Sequence, residues 1–199
     1  MSYAKYVRKV YKTYLRERPQ NVQDLLEKYG DSIITKIDIC RTPLSRIAEL
    51  ATRIGSLGKL DELRQQGLYD KLFHLNMNVH LEDGTVIGLE KNQRPAIKIG
   101  GFPKSDDTAC ESVDGLYITL NDLIEKGEQK ALKKGNKNFW RYTYKDNCQK
   151  FINDMITANY IHHLSKFIMQ DIEEILKNET IKKLSKYFID GATLVGAEI

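Results

Sequence analysis

Side chains able to carry nucleophilic acyl chemistry stand far apart in this 199-residue chain: Cys148, His74, and the polar pair Glu90 and Asn92. A thiol attacks a carbonyl carbon as its thiolate, so it needs a base to take the proton and a third group to hold that base in the right tautomer. The surroundings of Cys148 suit the first role. In the run 141–156, Cys148, Phe151, Ile152, Met155 and Ile156 recur at three- and four-residue steps, which predicts a helix with one apolar stripe. Asp146 is a candidate cap, and a thiol one or two residues past a cap faces unpaired N–H groups and the positive end of the helix dipole. Such a setting lowers a thiol pKa from about 8.5, and the same N–H groups can steady an oxyanion. The plain alternative is a buried, inert cysteine, the commonest fate of a free one.

The base must come from whatever that stripe packs against. Of the histidines His74, His80, His162 and His163, only the first two lie in an alternating stretch. There His74, Asn76, Asn78 and His80 share one face, and Phe73, Leu75, Met77, Val79 and Leu81 share the other. Two strands over 72–81 and 85–90, joined through Glu82-Asp83-Gly84, predict a hairpin, since Asp-Gly is a strong turn signal. A row of His and Asn either faces water or lines a polar site under the cysteine helix. A three-residue loop closed by a glycine bulge puts Asn92 opposite His74 and Glu90 one step diagonal, on its face. A two-residue loop inverts this, because one residue of slip turns Glu90 away. The run Glu90-Lys91-Asn92 also reads as the solvated end of an edge strand. Gln149 is either a further oxyanion donor or simply exposed, and Tyr142 and Tyr144 either border a cleft or anchor the helix by packing. His162 and His163, adjacent in a predicted helix, point in different directions and take no role. No cofactor or metal is expected.

These residues need elements to position them. A basic amphipathic helix is predicted over 3–18, ended by Pro19, with Tyr3, Tyr6, Val7, Val10, Tyr11, Tyr14 and Leu15 on one face. Further helices are expected over 22–29, 44–54 and 60–66, with a strand over 33–39 between the first two. After the hairpin come a strand over 96–99, a loop over 100–114, a short strand over 117–119, and a helix over 122–133 capped by Thr119 or Asn121. Helices over 161–176 and 180–188 end the chain. The fold class is α+β, a small antiparallel sheet framed by helices.

Composition narrows the function classes. Of the net charge of +4, residues 1–18 hold +5, with Lys5, Arg8, Lys9, Lys12, Arg16 and Arg18 against Glu17. Helix 3–18 is therefore a candidate contact with a membrane surface, while a basic face limited to one helix gives no reason to expect a specific nucleic acid. No signal peptide is evident, and no apolar run approaches the roughly 18 residues a membrane span needs. Cys40, Cys110 and Cys148 are the only cysteines, odd in number and irregularly spaced. That argues against a disulfide framework or thiolate zinc site and for a reducing, cytoplasmic setting, with Cys40 and Cys110 incidental.

The order of parts resembles the circularly permuted branch of the NlpC-type papain-like superfamily, which includes lecithin retinol acyltransferase, small phospholipase A/acyltransferases and permuted deubiquitinase-like peptidases. Phe73-His74-Leu75-Asn76-Met77 through Asp83-Gly84-Thr85-Val86-Ile87 resembles its histidine hairpin, and Asn147-Cys148-Gln149-Lys150-Phe151 its cysteine box. The chain departs from the acyltransferases in offering Glu90 or Asn92 where they have a second His, and in lacking a spanning tail. Compact relatives occur in large DNA viruses and virion-associated proteins, which the Lys- and Asn-rich composition would tolerate. The resemblance implies three segments: a helical extension with one strand over 1–70, a permuted papain-like core over 71–160 and a helical extension over 161–199. It also implies acyl transfer from a lipid ester or a peptide or isopeptide through a thioester on Cys148, with His74 as base and Glu90 or Asn92 orienting it. The competing expectation is an inactive structural or interaction protein that keeps the fold.

Overall fold

Period-two patterning brings five strands into one antiparallel sheet. The computed structural model describes residues 18–43, 73–91, 95–136, 139–142 and 146–169. The expected helix over 3–18 except for its last residue, those over 44–54, 60–66 and 180–188, and Asn92 and Tyr144 lie outside those residues. Among the described residues the order is α1 (Gln20–Tyr29), β1 (Ile33–Pro43), β2 (Phe73–Leu81), β3 (Val86–Lys91), β4 (Pro95–Ile99), β5 (Ala109–Thr119), α2 (Leu120–Lys133), α3 (Cys148–Ala158) and α4 (Ser165–Ile168). The sheet order is β4-β3-β2-β1-β5, and every neighbouring pair is antiparallel. This is an α+β fold with a small sheet. β1, expected to belong to an extension outside the core, is an interior strand held between β2 and β5.

One sheet face carries the core. Ile37 and Ile39 of β1, Leu75, Met77 and Val79 of β2, and Ile87 and Leu89 of β3 join Leu123 and Ile124 of α2 and Phe151, Ile152, Met155 and Ile156 of α3 in a single buried cluster. Burying a side chain of this size contributes about 1.5–3 kcal/mol, so this face fixes which way every strand is turned. The two helices meet closely at Gly127, where an added Cβ would lie 2.7 Å from Met155 Cγ. Glu128, one residue on, is fully buried; its carboxylate receives Arg18 Nε at 3.0 Å and Trp140 Nε1 at 2.6 Å. The indole in turn stacks edge-on against Phe139 and Phe151. Arg18 is thus taken up inside the fold and is no part of an outward basic face.

The opposite face is polar but covered. Asn78 exchanges two hydrogen bonds with the backbone of Phe102, at 3.0 and 2.8 Å, and Gly88 leaves room for the Phe102 ring to lie on the sheet. Asp38 is held by Ser112, His80, Lys36 and Lys104. Burial works against its charge, but those partners outweigh it and hold the carboxyl well below the usual carboxylate range. The segment after β4 therefore folds back over this face, and the reading in which the His/Asn row stands in water is overturned.

Three expectations on the chain's organisation need correction. The loop over 100–114 gives way at Ala109 to an eleven-residue edge strand. Its exposed polar residues and the irregular register between Ile34 and Lys36, with Gly115 and Tyr117 at positive φ, hide the alternation. Such a bulge also blunts a free edge. Secondly, the helix expected from 161 begins at Ser165. Thirdly, Cys40 and Cys110 are not incidental: they face each other across β1 and β5, with Cα atoms 4.1 Å apart, and form a disulfide. Sequence spacing is blind to such pairing, since antiparallel register brings together residues that are 70 apart. The reducing setting inferred from unpaired thiols loses its ground.

Candidate active site

The cysteine helix begins where its sequence says a thiol can be activated. Asn147, rather than the expected Asp146, is the N-cap: its side-chain oxygen accepts the Lys150 N–H at 3.1 Å. Asp146 instead receives Lys150 Nζ at 2.8 Å and Asn136 Nδ2 at 3.0 Å. Cys148 is the first helical residue, so its own N–H is among the donors a helix cannot satisfy internally. Only 6% of the residue is exposed.

The hairpin delivers the imidazole. Gly84 takes a left-handed conformation at φ 85°, and the Leu81 N–H donates to the Thr85 carbonyl at 2.8 Å, closing a three-residue loop. The resulting register pairs Asn76 with Glu90 and leaves Glu90 diagonal to His74 on the same face. His74 Nε2 and Glu90 Oε2 are 3.3 Å apart. Of the two candidates for third member, the structure thus brings Glu90 to the imidazole, while Asn92 lies outside the described residues.

Cys148 and His74 act on each other electrostatically. Burial opposes a charged sulfur, but the His74 charge and contact, then a hydrogen bond from the backbone N–H of Leu75, outweigh it and lower the thiol's pKa; Glu90 pushes the other way. Burial likewise opposes a charged imidazole, yet the Cys148 charge and contact, followed by Glu90, raise the pKa of His74 from 6.5 to about 10. Both shifts favour a thiolate–imidazolium pair.

Gln149 is buried rather than exposed, and Tyr142 is half-buried. His80 belongs to the Asp38 network, and His162 and His163 are exposed. Sequence reasoning missed Lys91. Far from ending a solvated edge strand, it lies in the inner strand β3 and is 1% exposed. The signal was present, since alternation puts Lys91 on the face of Ile87 and Leu89.

Among the described residues no group of three His, Cys, Asp or Glu side chains is arranged to hold a metal, and no helix is long and apolar enough to cross a membrane. Set against protein-family models, curated proteins and solved structures, the chain finds no match in any of the three.

Proposed function

We propose that this protein is a cysteine-dependent acyl hydrolase or acyltransferase on a permuted papain-like scaffold, acting on a lipid ester or on a peptide or isopeptide. The observation that carries the reading is the meeting of Cys148, at the first position of α3, with His74 backed by Glu90. The thiolate attacks the acyl carbonyl, and the carbonyl oxygen takes up the negative charge beside the Cys148 N–H. As the tetrahedral species collapses, the leaving oxygen or nitrogen takes its proton from the His74 imidazolium, and a thioester remains on Cys148. Neutral His74 then accepts a proton from water or from an acceptor hydroxyl or amine, whose attack on the thioester returns the thiolate. Glu90 holds the imidazole in place throughout. Exposure of the protein to radiolabelled phospholipid vesicles and, separately, to fluorogenic peptides and isopeptides tests this reading. Label trapped on Cys148 as a thioester, lost in Cys148→Ser, is the expected result and also identifies the substrate class.

A second reading, a catalytically idle structural or interaction protein, is favoured by one observation, the near-complete burial of Cys148. It predicts that iodoacetamide near pH 7 labels Cys148 no faster than an ordinary thiol in unfolded chain.

A further inference from the structure

Lys91 is a charged group inside the core that the acyl chemistry leaves unused. Lysine is almost never fully buried without a reason, yet this one is 1% exposed. It follows Glu90 on β3, so the two side chains leave the strand on opposite faces: Glu90 toward His74, Lys91 into the core. Its Nζ lies 5.9 Å from the ring centre of Phe139 and 5.7 Å from that of Phe151. Phe151 belongs to the same buried stripe as Cys148, one turn along α3. The ammonium is thereby held against the first turns of the helix that carries the sulfur.

We propose that Lys91 is a positioning residue for the active-site sulfur, its buried ammonium balancing the charge of Glu90 so that Cys148 stays a thiolate. The inference rests on the reading of Cys148 as a nucleophile and adds to it the group that tunes it. Glu90 serves the imidazole at a cost, because its charge raises the thiol's pKa. Lys91 is the opposite charge from the next position on the same strand. Burial weakens its proton and lowers its pKa to about 8; Asp146, Cys148 and Asp154 attract the charge, and Lys150 repels it. Attraction is mutual, so the ammonium favours the thiolate as the thiolate favours the ammonium.

The test is the pH profile of Cys148 alkylation in the full-length protein. For Lys91→Met, which keeps the length but not the charge, the acid limb should move up by about one pH unit, a roughly tenfold slower reaction on the limb. Lys91→Arg should restore the wild-type limb. A Lys91→Met profile that superimposes on wild type, or a Lys91→Arg as slow as Lys91→Met, overturns the proposal. Should Lys91→Met fail to fold, reciprocity supplies a second measurement. The Lys91 pKa, read by carbon-13 NMR at Cε, should fall by a similar amount in Cys148→Ser, and an unchanged value overturns the proposal. A wild-type profile with an ordinary thiol limb removes the nucleophile reading itself and this inference with it, whereas a low limb insensitive to Lys91 removes this inference alone.

Discussion

Replacing His74 by Asn tests whether the imidazole is what keeps the sulfur charged. The residue is small enough for the site and keeps a polar amide, but it carries no charge. In wild type, burial raises the thiol's pKa and the His74 charge and contact outweigh it. Without that charge the burial and the Glu90 charge both act to raise it, against the Leu75 N–H. An opposite charge at contact range is worth about 1–3 pKa units, so the acid limb of the labelling profile should move up by about 1–3 pH units, a roughly tenfold to thousandfold slower reaction on that limb. Iodoacetamide labelling followed by intact mass reads this directly. The chain holds three cysteines, two of them are bridged, and Cys148 is the free thiol. Near-UV circular dichroism checks that the fold survives. Stability should follow the same pair. The contribution of His74, whose pKa rises from 6.5 to about 10, is complete below the lower value and is lost as pH climbs through the upper one. That of Cys148 is present above its ordinary pKa and is lost as pH falls through its lowered one. Together they give a plateau between about 6.5 and the ordinary thiol value, with stability falling on the acid side down to the lowered thiol value and on the alkaline side up to about 10, absent in His74→Asn. Equal labelling rates for wild type and variant from acid to alkaline pH would refute the reasoning.

Glu90→Gln should slide the window toward acid by about one pH unit without closing it, since Glu90 raises both pKa values; an unmoved profile counts against its place beside His74. Glu128→Gln should cost about 3–5 kcal/mol in urea unfolding, because Arg18 keeps a buried charge without its carboxylate; a loss under 1 kcal/mol would mean the guanidinium finds water. Reducing the Cys40–Cys110 bridge, which closes a loop of 70 residues, should lower stability by about 4 kcal/mol. Unchanged unfolding in reductant, with thiol titration showing three free cysteines, would sink that figure.

What the sequence made legible was local. The stripe from Cys148 to Ile156 and the alternation along β2 come from side-chain periodicity, and both elements lie where it put them. The hairpin register followed from one glycine: once Gly84 takes the left-handed conformation, the pairing of Asn76 with Glu90 is set. What stayed hidden depends on contacts distant in sequence. β5 has too many exposed polar residues to show a buried face, and Cys40 meets Cys110 only because β1 lies inside the sheet. Lys91 was misread because charge suggested solvent, although its position in the alternation placed it among apolar neighbours. Asn147 and Asp146 differ as caps only in which side chain reaches back to the Lys150 N–H, a choice made by the pull of Lys150 Nζ and Asn136 on Asp146.

A point of geometry remains, for His74 stands on the polar face of β2 while Cys148 belongs to the stripe that packs on the apolar one. The ladders explain how they meet. Pairing of β1 with β2 runs on to Pro43 and Phe73. Within it Leu75 pairs with Arg41 of β1, and the sulfur receives the Leu75 N–H. The sulfur therefore takes a hydrogen bond from the strand's own backbone, which lies between the two faces of the sheet. From there it can reach a side chain of either face. His74 and Glu90 belong to one face of the hairpin and Lys91 to the other.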